Sequence, residues 1–138
     1  MHELSKSFRF DAAHTLNREI ETESSRRIHG HSYRAEVTVR GEPDPTSGMI
    51  IDLGLLDRAM NEARDQLDHR FLDEINDLGP ATMENLAVWI FERLEPSIPN
   101  LARVAVHRDH NHETCTYFGG AGKARESQPG NCYPARAA

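Results

Sequence analysis

Three histidines stand out for chemistry: His14, and His29 with His31 separated by one glycine. Tyr33, Ala35, Val37 and Val39 alternate with Arg34, Glu36, Thr38 and Arg40, the signature of a half-buried strand. Carrying that parity backward puts His31 and His29 on the apolar face, roughly 6–7 Å apart along the chain. Buried imidazoles need partners. Two on one strand face, with a third closing the neighbouring strand, fit a zinc site of three protein nitrogens and an open position. The plainer alternative is a set of unrelated polar residues on a sheet face, and spacing alone leaves both open. Asp68-His69 is a second pair, in which a carboxylate can orient an imidazole and raise its basicity. The alternative there is a solvated helix end, where histidine also suits the dipole. His107, His110 and His112, with Asp109, lie in and beside a turn and read as solvent-exposed.

The elements that must position these groups follow from periodicity. Leu4 to Phe10 reads as a strand with Phe8 and Phe10 on one face. Residues 17–27 carry charges and no apolar pattern, so they read as a solvated loop. A turn over 41–48 precedes Asp52, a helix N-cap residue. Leu53, Leu56, Met60, Ala63 and Leu67 then form one helical stripe that ends at Asp68-His69. Thr82 caps a second helix with the stripe Met83, Leu86 or Ala87, Ile90 and Leu94, stopped by Pro96. Leu101 to Val106 and Thr114 to Phe118 are strands around a turn at 109–112. The order ββααββ predicts an α+β domain over 1–120: one antiparallel sheet with both helices on one face. Residues 121–138 have little to bury and read as a flexible or docked tail. Open sheet edges need covering, and a symmetric ring of copies would cover them.

Composition limits the function classes. The chain has 138 residues, 38% of them hydrophobic, enough for one modest core. A formal charge of −6 argues against a general nucleic-acid or membrane-surface binder. No apolar run approaches the roughly 18 residues of a membrane span, and the first residues lack a signal-peptide pattern. Cys115 and Cys132 form no metal-binding pair or disulfide framework, so a reducing cytoplasm is the expected location.

Five segments occur in an order that resembles the 6-pyruvoyltetrahydropterin synthase and 6-carboxytetrahydropterin synthase family. They are Phe10 to Leu16 (FDAAHTL), His29 to Tyr33 (HGHSY), Gly48 to Leu53 (GMIIDL), Leu67 to Leu72 (LDHRFL) and Thr82 to Ala87 (TMENLA). The resemblance spans roughly residues 4 to 120. It implies a tunnelling fold of ββααββ units, commonly a hexamer built as a dimer of trimers. It implies that His14, His29 and His31 hold zinc, and that the ligand is a reduced pterin such as 7,8-dihydroneopterin triphosphate. It implies a carbon–oxygen lyase type of reaction with Asp68 orienting His69 as proton donor or acceptor, and a pterin pocket lined near Thr82.

Two positions depart from the family pattern. Ser25 stands where the family carries a catalytic cysteine, four residues before the first histidine of His-Gly-His. A hydroxyl is a far poorer base and nucleophile than a thiolate. Arg26 and Arg27 are its cationic neighbours, Glu23 is two residues out of register for the glutamate of some relatives, and neither cysteine matches. The pterin-anchoring glutamate is replaced by Arg108, with Asp109 one residue on and Glu113 farther away. An arginine there favours an acceptor-rich ligand over a donor-rich pterin edge. Three readings follow: an active zinc-dependent pterin enzyme; a repurposed relative that binds a pterin- or purine-like ligand without the family reaction; and a zinc hydrolase outside pterin chemistry.

Overall fold

The computed structural model describes residues 1–120, and the expected tail at 121–138 lies outside the described residues. Five strands form one sheet: β1 (His2–His14), β2 (His29–Gly41), β3 (Arg70–Phe71), β4 (Leu101–Arg108) and β5 (Glu113–Tyr117). Their order across the sheet is β3-β1-β2-β4-β5. All neighbours are antiparallel except β3, which runs parallel to β1. Among the described residues three α-helices accompany them: α1 (Thr22–Arg26), α2 (Leu53–Asp65) and α3 (Met83–Leu94).

The alternation read in the sequence is the alternation of the sheet. Phe8, Phe10 and Ala12 of β1 meet Tyr33, Ala35, Val37 and Val39 of β2 and Val104 and Val106 of β4 in one core. Leu56 and Met60 of α2, and Leu86, Ile90 and Leu94 of α3, close that core. Both helix starts are capped as expected: the Asp52 carboxylate accepts from Gly54 N at 2.7 Å, and the Thr82 hydroxyl accepts from Asn85 N at 3.1 Å.

Two of the expected elements need correction. The stretch read as loop over 17–27 contains α1, one short helix whose sequence is too brief to show a period. Leu53 does not belong to the buried stripe, because the first turn of α2 leaves it 45% exposed. The strand read over Leu4 to Phe10 runs from His2 to His14, so only its bounds change: His14 closes it, as expected, and pairs directly with His29.

The other face of the sheet is polar. The Glu3 carboxylate accepts from Arg40 Nε at 2.9 Å and Arg103 Nη1 at 2.9 Å, spanning three strands. These guanidiniums, Arg103 first, pull the Glu3 carboxyl down to about 2. A lowered carboxyl stabilises the fold fully above its ordinary value of 4.5, and this contribution is lost as pH falls toward 2. Glu3→Gln is therefore expected to flatten the fall in urea midpoint between those two pH values while leaving its slope at neutral pH unaffected.

Candidate metal centre

The ends of β1 and β2 build the centre. His14 is buried at 1% exposure, and its Nδ1 lies 2.7 Å from the Ala81 carbonyl. His29 Nδ1 lies 2.8 Å from the Arg27 carbonyl. A carbonyl only accepts, so both Nδ1 atoms carry the proton and both Nε2 atoms present a lone pair. Those lone pairs converge: His14 Nε2 is 2.9 Å from His29 Nε2 and 3.0 Å from His31 Nε2. Arg108 Nη1, itself only a donor, lies 3.4 Å from His31 Nε2, so that nitrogen also accepts. Three bare nitrogens facing one another are a poor hydrogen-bonding arrangement and a good cation-binding one. Zinc–nitrogen bonds near 2.0–2.1 Å in a tetrahedron set the nitrogens about 3.3 Å apart, a few tenths wider than the two contacts here.

Local structure explains the convergence. Gly30 separates the two β2 histidines, and a Cβ there would stand 3.3 Å from the Ala12 carbonyl of β1. Glycine lets the strands close where the rings must meet. Thr82 caps α3, and the turn it ends holds the Ala81 carbonyl against His14. The Asp73 carboxylate accepts from Thr15 N at 3.0 Å and fixes the backbone just after His14. Burial lowers the His14 pKa, and burial followed by the Arg108 charge lowers that of His31 to about 4. Both rings are neutral at pH 7, the state a metal requires.

A cavity of about 540 Å³ opens at this centre, lined by Leu16, Ser25, His29, His31, Arg108 and Glu113 among others. Ser25 is 5% exposed, and its hydroxyl donates to the Thr22 carbonyl at 2.9 Å. Arg108 Nη2 pairs with Glu113 Oε1 at 3.0 Å, since β4 and β5 set these residues opposite each other. The pairing brings Glu113, remote in sequence from the β4 position, into the cavity wall. Asp109 is held by Arg34 through bonds of 2.9 and 3.1 Å on the polar side of the sheet. The Thr82 hydroxyl is spent on the helix cap.

Asp68 and His69 lie elsewhere. Asp68 accepts from Asp11 N at 3.0 Å and from Arg64 Nη2 at 3.1 Å, and its Oδ2 lies 3.0 Å from His69 Nδ1. The Asp11 N–H, followed by His69, holds the Asp68 carboxyl below its usual range, so it remains ionised. His69 adopts a left-handed backbone (φ 58°) and hydrogen-bonds the Asp11 carbonyl through its own N–H at 2.7 Å. Its ring lines a separate depression of about 500 Å³ with Gly30, His31 and Phe71. His31 borders both hollows; Ser25 lines the first and His69 the second. His107, expected to be exposed, is instead carried by β4 with its side chain 14% exposed and facing Glu36 at 3.3 Å, whereas His110 and His112 are exposed in the turn. Among the described residues the metal-capable cluster is His14, His29 and His31.

A family model for 6-pyruvoyl tetrahydropterin synthase matches residues 3–119. The chain belongs to this family. A member from Synechocystis, a 6-carboxy-5,6,7,8-tetrahydropterin synthase, is 36% identical over 117 residues, covering 80% of this chain and 85% of its own. A dihydroneopterin monophosphate aldolase from Pyrococcus furiosus is 38% identical over 90 residues, covering 65% of this chain and 72% of its own. The structure of the Caenorhabditis elegans 6-pyruvoyl tetrahydropterin synthase superposes with a TM-score of 0.73 at 32% identity, over 86% of this chain and 95% of that one. The tunnelling fold expected from the resemblance is the fold of this family member, with β3 and α1 added to the ββααββ order. Relatives of similar identity carry the names of different reactions, so membership settles the fold and the pterin family ahead of the reaction.

Proposed function

We propose that this chain is a zinc-dependent enzyme of the carbon–oxygen lyase type acting on a reduced pterin such as 7,8-dihydroneopterin triphosphate. The convergence of three bare Nε2 atoms, two of them fixed by Nδ1 bonds to backbone carbonyls, carries this reading. Zinc held by His14, His29 and His31 would supply Lewis acidity toward the oxygens of the pterin side chain. Asp68 orients His69 through Nδ1 and leaves Nε2 free to take or give a proton. Ser25 lies in the wall as a spectator or weak base, and Thr82 acts through the turn that fixes Ala81. Arg108 and Glu113, with Asp109 behind them, replace the usual anchor.

A dimer of trimers fits the sheet, whose edge strands β3 and β5 remain without an outer partner strand among the described residues. No described helix is long and apolar enough to cross a membrane. A cytoplasmic small-molecule enzyme without nucleic-acid or membrane partners is the setting that agrees with the charge of −6.

A second reading has its own support. The Ser25 proton is committed to a backbone carbonyl, and a cation replaces the anchoring carboxylate. A relative that binds a pterin- or purine-like ligand without the family reaction would keep the cavity and lose the base. Turnover of 7,8-dihydroneopterin triphosphate by the zinc-loaded chain, with products resolved by chromatography, separates the two. A new pterin product, reduced on the order of 10²-fold or more in His69→Ala, supports the enzyme. Unchanged substrate that nevertheless binds supports the repurposed relative.

A further inference from the structure

Arg108 is 16% exposed, and only part of its hydrogen-bonding capacity is used. Nη2 serves Glu113 at 3.0 Å, and Nη1 lies at 3.4 Å from His31 Nε2. Nε is buried, and the Tyr33 hydroxyl, buried as well, interacts with the same guanidinium. Arg18 lines the same cavity. The nitrogen that receives Nη1 is one of the three that converge as metal ligands. A single lone pair cannot serve both. Metal binding therefore removes the partner of Nη1 and sets a second positive centre beside the guanidinium. Glu113 balances one of these two cations, and the Nη1 hydrogens so released, with Arg18 on the same wall, are donors for an incoming anion.

We infer that Arg108, through the Nη1 hydrogens that metal binding at His31 releases, binds an oxyanion of the ligand, a phosphate-ester or carboxylate group, beside the loaded three-histidine centre. Glu113 is the positioning residue that holds the guanidinium there. The inference rests on the metal reading given above and assigns the ligand an acidic group where the family pattern expects ring N–H donors.

The test titrates the full chain, metal-free and zinc-loaded, with inorganic phosphate and separately with acetate, by calorimetry. Zinc-loaded protein is expected to bind one of these probes about tenfold more tightly than metal-free protein, and Arg108→Gln to abolish that gain. Zinc affinity in anion-free buffer is expected to stay equal or rise in the variant, because a neighbouring cation is gone. If Arg108→Gln fails to fold by circular dichroism, Arg108→Lys replaces it and is expected to weaken the probe while retaining zinc. Preference for phosphate assigns a phosphate ester, and preference for acetate assigns a carboxylate. Binding of both probes to Arg108→Gln as tightly as to the unaltered chain, or of neither to the zinc-loaded chain, overturns the inference. So does failure to take up zinc, which removes the metal reading as well. A separate titration with 7,8-dihydroneopterin isolates the pterin reading. Arg108-dependent phosphate binding without dihydropterin binding leaves the oxyanion site standing and removes the pterin. Dihydropterin binding with no Arg108-dependent anion effect does the reverse.

Discussion

His29→Ala is expected to reduce bound zinc from about one ion per chain to a trace, with affinity falling on the order of 10²-fold or more. Loss of an outer partner of a metal ligand alone costs roughly 10–100-fold, and loss of a ligand itself costs at least that. His29 is the ligand to choose because it is partly exposed at the strand end, whereas His14 is buried against Ala81 and its loss would open the core. His107→Ala is the matched control. Its ring faces Glu36 at 3.3 Å, and it should leave zinc content unchanged. Metal analysis after dialysis against a weak chelator reads the stoichiometry directly. A second readout is thermal: an ion that binds the folded chain raises its melting temperature by mass action. Added zinc should shift the unaltered chain and His107→Ala but not His29→Ala. Equal zinc retention in His29→Ala would remove the three-histidine centre from the account.

The parts legible in the sequence are those with a strong period. The alternation from Tyr33 to Arg40 marks the inner face of β2, and extending it by two steps puts His31 and His29 on that face, while the β1–β2 register that sets His29 opposite His14 is a contact between segments. Asp52 and Thr82 were legible as caps because a short oxygen side chain before an apolar period has few other uses. What stayed hidden depends on contacts between distant segments. The Ala81 carbonyl that sets the His14 tautomer is a backbone group 67 residues away and carries no side-chain signal. The burial of Ser25 comes from a five-residue helix pinned by Leu16 N, which donates to the Ser25 carbonyl at 2.7 Å. Such a helix is too short to show a stripe. The entry of Glu113 into the cavity follows from hairpin register, which places it opposite Arg108. A local signal existed there: the turn 109–112 flanked by two strand patterns makes 108 and 113 natural partners.

Ser25→Cys is expected to raise turnover of 7,8-dihydroneopterin triphosphate by on the order of 10²-fold, the lower range of what a positioned general base contributes. The substitution is nearly isosteric at a site that is 5% exposed, so the fold should tolerate it. The chemistry changes far more than the shape. The serine proton is given to the Thr22 carbonyl at 2.9 Å, and a hydroxyl does not ionise near neutrality. A thiol starts near 8.5 and falls further beside cations. Arg18 and Arg108 border this cavity together with His29 and His31. Ser25→Ala distinguishes the alternatives. If serine is a spectator, alanine should match the unaltered chain and cysteine alone should gain. A large loss in Ser25→Ala would show that the hydroxyl works despite its bond to Thr22. No gain in Ser25→Cys, with zinc bound and dihydropterin binding intact, would place the obstacle at Arg108 and favour the repurposed relative over an enzyme lacking one base.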